Sequence, residues 1–354
     1  ITLRLMKVFG EKYLQWALMF TGFIVGIPLF YNVGFVLLIP LVFSIVYQYN
    51  IPAVYLGIPM LAALSVTHGF LPPHPSPTAL VPQFGADLGL TLTYGLIVAL
   101  PTMIVAGPIF AQRLKNIKAK PIELFQTQSK EESELPSAFN SFATALLPVL
   151  LLILSTILPY IAGDNPQLNS IFSFLGNPNI VLLIALAIAT YTLWLARKGS
   201  MKELMDMYGE SIKEISVILL IVAGAGGLKQ VFIDSGISDL LAAMLSDSNM
   251  NLLLLGWLMA TLIRVCVGSA TVAGLTTAGI LAPLVLQSEV NPNLMVLAIG
   301  AGSLMFSHVN DSGFWMFKEY FNLSLKDTFR SWTLMETLVG IVGIFGVLIL
   351  DIWV

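Results

Sequence analysis

Apolar residues run along this chain in long blocks separated by short polar or glycine-rich interruptions. The blocks cover 14–30, 33–46, 53–70, 88–110, 142–161, 180–196, 215–233, 252–267, 275–286, 294–306 and 334–353. A helix needs roughly 20 apolar residues to cross a bilayer, so some blocks are full spans and others fall short. Two stretches are interrupted in their middle. Residues 14–46 break at Pro28-Leu29-Phe30-Tyr31-Asn32-Val33-Gly34, and residues 252–286 at Gly268-Ser269-Ala270-Thr271-Val272-Ala273-Gly274. Each reads either as a re-entrant hairpin, two half-helices with a polar tip at membrane depth, or as an ordinary helical pair with a tight turn.

The residues after each interrupted stretch match as well. Thr67-His68 and Ser307-His308 lie 240 positions apart, as do Pro52 and Pro292, while Pro40-Leu41-Val42 and Pro283-Leu284-Val285 are 243 apart. The shared order is broken hairpin, Pro, apolar run, hydroxyl-His, then a segment unable to continue a helix. In the first half that segment is Leu71-Pro72-Pro73-His74-Pro75-Ser76-Pro77-Thr78, too rich in proline to stay helical. In the second it is Ser307-His308-Val309-Asn310-Asp311-Ser312-Gly313-Phe314-Trp315. An odd number of crossings between the hairpins puts them on opposite faces. The expectation is an all-α polytopic membrane protein built from inverted repeats, with two re-entrant hairpins and two broken transmembrane helices, the sequence pointer to a midplane site in a transporter. The first repeat is expected over 1–111, N-terminally incomplete, with hairpin 14–46 and broken helix 52–87. A cytoplasmic linker comes next at 112–141, then a second repeat over 142–354 with hairpin 252–287 and broken helix 292–330.

Composition agrees with a membrane protein. Of 354 residues, 57% are hydrophobic and 10% charged, against about 25% charged in soluble domains. A net charge of −3 gives no field for nucleic acid, and Cys266 as the single cysteine excludes an internal disulfide. Lysine and arginine gather in 113–140 and 197–214 but are missing from 163–177, which places the first two stretches inside the cell. Lys229 and Asp234 flank a glycine-rich turn expected over 224–236, where close helix packing explains the glycines better than a phosphate loop does.

Charged and titratable side chains within apolar blocks usually face a cavity and serve a function. Gly268, Ser269 and Thr271 at the second tip offer close backbone approach, hydroxyls and a helix N-terminus for a carboxylate, or else merely permit tight packing; Thr276 and Thr277 share either reading. Asn32 and Gly34 occupy the matching tip. His68, His74 and His308 are the three histidines, each beside an unwound segment and able to carry a proton or bond a hydroxyl, with His74 the one expected to reach solvent. Asp311 suits a proton relay or a helix cap, and Ser307, Asn310 and Thr67 are its polar neighbours or their counterparts. Arg264 either pairs with an anionic substrate or snorkels outward. A Ser307, His308 and Asp311 hydrolase is a poor alternative, because adjacent helical residues diverge by about 100°. No enzyme activity, metal or cofactor is expected.

Five strings carry a family likeness: GFVLLIPLVFSI (34–45), ALSVTHGFLPPHPSPTA (63–79), GAGGLKQVFIDSGI (224–237), GSATVAGLTTAGILAPL (268–284) and SHVNDSGFWMFKEYFNLS (307–324). Together they resemble the gluconate:proton symporter (gluconate permease) family, within a broader ion-transporter superfamily of hairpin-tipped, often dimeric, elevator-type carriers. The resemblance implies uptake of gluconate or a related small sugar acid, with a proton as coupling ion, across a bacterial cytoplasmic membrane. It implies a homodimer in the bilayer and a first repeat whose initial helices are missing here. Related carriers for D-serine or another small carboxylate are the alternative. Substrate contacts are then expected from Asn32, Gly34, Thr67, His68, Gly268, Ser269, Thr271, Ser307, His308 and Asn310. Members with an acidic residue in place of Asn32 have a carboxylate that this chain lacks there, which leaves the proton to Asp311, His308 or His68.

Overall fold

The structure is a computed structural model describing residues 10, 13–117, 119, 136–144, 146–147, 150–151, 154, 166–175, 177–235 and 251–354. Most of the expected linker and span 142–161 lie outside the described residues, as do Arg4, Lys7, Lys12 and all the charges between 118 and 135. The described residues are helical, with no strand among them. In chain order the helices include α1 (Leu14–Gly26), α2 (Tyr31–Tyr49), α3 (Ala53–Phe70), α4 (Pro75–Phe84), α5 (Leu88–Ile104), α6 (Pro166–Leu175), α7 (Pro178–Ala189), α8 (Met201–Asp234), α9 (Leu252–Val267), α10 (Ala270–Val285), α11 (Pro292–Leu304), α12 (Ser312–Tyr320) and α13 (Leu325–Leu350).

Among the described residues, four helical runs are long and apolar enough to cross a membrane: Ala53–Phe84, Leu88–Leu114, Asn179–Arg197 and Leu325–Leu350. The paired helices are shorter. At 1.5 Å per residue, the 16 residues each of α9 and α10 reach about 24 Å, less than a hydrocarbon core of about 30 Å.

Helices α3 and α11 form the centre. Both are apolar around their whole circumference and nearly every residue is buried, as expected of a helix with no polar stripe. They cross at two glycines: a Cβ on Gly300 would lie 2.3 Å from the Gly69 carbonyl oxygen, so the backbones touch in a way no other residue allows. Around this crossing α1 and α2 pack on α3, α9 and α10 pack on α11, and α5 and α13 touch both central helices.

The breaks are narrower than the sequence pattern implies. Between α1 and α2 the chain leaves helix only at 27–30, so Asn32 and Gly34 sit in the first turn of α2. Between α9 and α10 it leaves helix only at Gly268 and Ser269. Polar and small residues at the start of a helix cost little, because the first N–H groups have no intrahelical partner in any case. The first unwound segment covers only 71–74, since α4 starts at Pro75, where proline is tolerated in a first turn, and the second spans 305–311, with helix resuming at Ser312. Residues 224–227 form no turn: α8 runs through them unbroken, and around Gly227 a Cβ would meet nothing within 4 Å. The expectations of a turn and of close packing at Gly227 both give way to a continuous helix. The basic stretch 197–214 is likewise mostly the first turns of α8.

Candidate functional site

The breaks between α1 and α2 and between α9 and α10, together with α3 and the segment before α12, converge on a cavity of about 460 Å³, a size proper to small-molecule sites. Its walls come from both halves. The start of α2 contributes Phe30, Tyr31, Asn32 and Val33; α3 gives Ser65 and His68; the second tip gives Gly268, Ser269, Ala270 and Thr271. Arg264, Asp311, Ser312, Trp332 and Glu336 complete its polar and aromatic lining.

Two helix N-termini therefore open on one space. No side chain caps α2, whose N-cap position is Phe30. At α10, Ser269 accepts from the Val272 N–H at 3.3 Å, leaving the earlier N–H groups of the turn to the cavity. Unsatisfied N–H groups and the positive dipole end make such termini natural hosts for anions. Gly268 makes the second tip possible. It has φ +82°, and a Cβ there would lie 2.2 Å from the Asn310 carbonyl oxygen, so glycine lets the tip press against the unwound segment. Asn310 ties the same two pieces together, donating from its side-chain amide to Val265 O at 2.8 Å.

Arg264 is buried on α9 and points inward. It donates to the Gly268 carbonyl and to the Asp311 carboxylate, while its Nε–H, also buried, has no partner. Asp311 accepts further from the Ser307 hydroxyl and, at 2.9 Å, from the Gly313 N–H, so it caps α12 as well as pairing with arginine. Ser307 is held from behind by Trp332 Nε1 (2.7 Å) and Thr333 Oγ1 (2.6 Å, to the Ser307 carbonyl). Both reach it from a π-turn, Phe329–Thr333, that interrupts α13; such turns recur at functional sites.

Of the residues expected from sequence, Asn32, His68, Gly268, Ser269, Thr271 and Asp311 line the cavity. Ser307 stands one bond behind it. Thr67 is fully buried and donates to Leu64 O at 2.8 Å, and Gly34 sits beneath the Leu64 side chain. His308 and Asn310 lie in the unwound segment, off the cavity wall. Thr277 donates back to Ala273 O within α10, and neither it nor Thr276 lines the space. His74 does not reach solvent: it is 3% exposed, its Nε2 is 2.7 Å from the Gly26 carbonyl, and its ring packs edge-on against His68 at 5.3 Å. The prolines around it fold the segment inward, onto the end of α1.

Sequence reasoning passed over Ser65, Tyr31, Trp332 and Glu336 and left Arg264 undecided. For Glu336 the signal was present, a carboxylate inside an otherwise apolar block. For Tyr31 it was the residue's place in the first interruption; for Ser65 and Trp332 there was none, since only packing decides which face of an apolar helix meets a cavity. Tyr31 Oη, His68 Nδ1, Arg264 Nε and one oxygen of Glu336 are all buried at this cavity without a hydrogen-bond partner. Buried polar atoms are seldom left so, and four around one space point to a polar ligand.

Comparison with known proteins gives a consistent result. The model of the GntP family permeases matches residues 1–353. The chain is 48% identical over 352 residues to the high-affinity gluconate transporter of Escherichia coli K12, covering 99% of this chain and 80% of that protein. It is 46% identical to the Gnt-II system L-idonate transporter of the same organism, with the same coverage. It is 44% identical to the gluconate permease of Bacillus licheniformis, covering all of this chain and 82% of that one. Among solved structures, the YdaH transporter of Alcanivorax borkumensis shares the fold, with TM-score 0.69 at 16% identity over 99% of this chain and 80% of that one.

Proposed function

The chain belongs to the GntP family of permeases, multi-pass transporters of the bacterial cytoplasmic membrane, and from that premise we propose that it carries gluconate or a closely related sugar acid inward together with a proton. The observation that carries this reading is the convergence of two helix N-termini and the unpartnered Arg264 Nε–H on one cavity. These are donors without acceptors, arranged for a carboxylate. Around them stand Asn32, Ser269, Thr271, His68 and Tyr31, which match a row of hydroxyls. Relatives named for gluconate and for L-idonate point to the same chemical class, a carboxylate on a polyhydroxylated chain.

The helix pairs α1–α2 and α9–α10 act as re-entrant hairpins in this reading, and the halves 1–111 and 142–354 as inverted repeats joined by a cytoplasmic linker. Short paired helices, both tips at one cavity and the repeated order of motifs support it. Alternating access then moves the hairpins and broken helices as a body, in the elevator manner, within a homodimer. A carboxylate of the cavity carries the proton; Asp311 and Glu336 both line it.

Purified protein in liposomes should accumulate labelled gluconate when the proton gradient is directed inward. Unlabelled L-idonate should compete and D-serine should not. Accumulation driven by a sodium gradient alone would overturn proton coupling, and stronger competition by D-serine would reassign the substrate.

A further inference from the structure

The two cavity carboxylates are not equivalent. Asp311 receives three donors, the Arg264 guanidinium, the Ser307 hydroxyl and the Gly313 N–H. All three are hydrogen-bond donors, and the arginine balances the carboxylate's charge. Glu336 receives one, the Ser65 hydroxyl, on a single oxygen. Its other oxygen is buried with no partner, and the side chain is 2% exposed. Across the cavity it faces Tyr31 on α2, His68 on α3, Arg264 on α9 and Asp311 ahead of α12, and the arginine is already committed to Asp311.

Building on the transport reading above, we infer that Glu336 is the group that takes up and releases the coupled proton, with Ser65 as its positioning residue. The coupling is one of charge. The Arg264–Asp311 pair is neutral as a unit, so an entering sugar acid meets either a neutral Glu336 or a second negative charge in a buried space, where repulsion is poorly screened. A proton from water on the outer side, forming an O–H bond on the free Glu336 oxygen, removes that repulsion and turns an acceptor into a donor for the substrate. When the O–H bond breaks toward cytoplasmic water, the ionised carboxylate expels the anion it helped to hold. By linkage, protonation and substrate binding strengthen each other equally.

The test compares Glu336→Gln with Asp311→Asn in liposomes. Glu336→Gln keeps shape and a donor but cannot release a proton. It should lose uphill accumulation and substrate-driven alkalinisation outside, while counterflow exchange persists, slowed at most about tenfold, as expected for one altered hydrogen bond. Gluconate binding by the unaltered protein should weaken as pH rises, and that of Glu336→Gln should not. Asp311→Asn should instead impair binding and exchange together while keeping a pH-dependent affinity. Uphill accumulation by Glu336→Gln at the unaltered level would overturn the inference, as would a folded Glu336→Gln that neither binds nor exchanges. Should that variant fail to fold, Ser65→Ala removes only the hydrogen bond and should displace the pH profile of uptake; an unmoved profile overturns the inference. Failure of the unaltered protein to take up gluconate at all would count against the transport reading instead.

Discussion

The two helix–break–helix units differ in how they meet the cavity. In both, a polar side chain from the broken helix grips a carbonyl near the end of the preceding hairpin helix: His74 to Gly26 in the first, Asn310 to Val265 in the second. Beyond that shared clasp they diverge. The first unit brings an uncapped helix end, aromatic rings and two histidines, with a proline-rich segment folded into the core. The second brings a two-residue tip, a left-handed glycine, a capping serine and the Arg264–Asp311 pair. Charge and tight geometry are concentrated in the second unit, whereas the first supplies walls. The lesson is that a shared helix–break–helix pattern does not imply shared labour, so matching substitutions in the two units should have unequal effects.

The sharpest break comes at Arg264. The Arg264 and Asp311 side chains are 4% and 14% exposed, so Arg264→Ala leaves a largely buried carboxylate uncompensated, a loss of about 3–5 kcal/mol in comparable pairs. Gluconate uptake should disappear and melting in detergent should fall clearly. Arg264→Lys should recover part of the melting temperature but not transport, because one ammonium cannot span the Gly268 carbonyl, the Asp311 carboxylate and the cavity as a planar fork does. Full uptake by the lysine variant would show that charge alone is required.

The tips come next. Gly268→Ala forces a side chain into a left-handed backbone position, costing about 1–3 kcal/mol, and drives its Cβ against Asn310 backbone. At Gly34 in the first unit, a Cβ would meet only the end of the Leu64 side chain, at 2.8 Å, which can turn aside for about 1 kcal/mol. Thermal melts of the two alanine variants should therefore rank Gly268 as the costlier. Equal losses would mean that the tips bear equal constraint.

How far this division was legible beforehand differs between the units. The places where helix breaks show in the sequence, because glycine, proline and clustered polar residues interrupt apolar blocks for plain steric and hydrogen-bonding reasons. Widths do not show: Asn32 and Thr271 look like loop residues yet occupy first turns, where helix and loop tolerate the same side chains. The cavity was readable where a polar residue sits in a break, as at Gly268, Ser269 and Asp311. It was unreadable where tertiary packing selects a face, as for Ser65 on α3, and it was overlooked at Glu336, whose apolar surroundings resemble those of an ordinary span. The glycines of 224–227 mimic a turn, but α8 carries them as helix, since no proline or capping residue stops it.

The smallest expected difference concerns two histidines that the sequence treats as counterparts. His68 lines the cavity, packs against Tyr31 and His74, and leaves Nδ1 unpartnered there. His308 sits half-buried in the unwound segment, and its backbone carbonyl serves the chain by accepting from the Asp311 N–H at 2.9 Å. That bond survives any change of side chain. His308→Gln should accordingly shift stability by no more than about 0.5 kcal/mol, as surface replacements do, with gluconate affinity unchanged. His68→Gln removes a ring from the cavity wall together with the donor or acceptor facing the substrate. A neutral hydrogen bond is worth about 0.5–1.5 kcal/mol, so affinity should weaken up to about tenfold. Equilibrium binding of labelled gluconate to both variants decides the matter, and a larger loss at His308 than at His68 would move the substrate out of this cavity and toward the unwound segment.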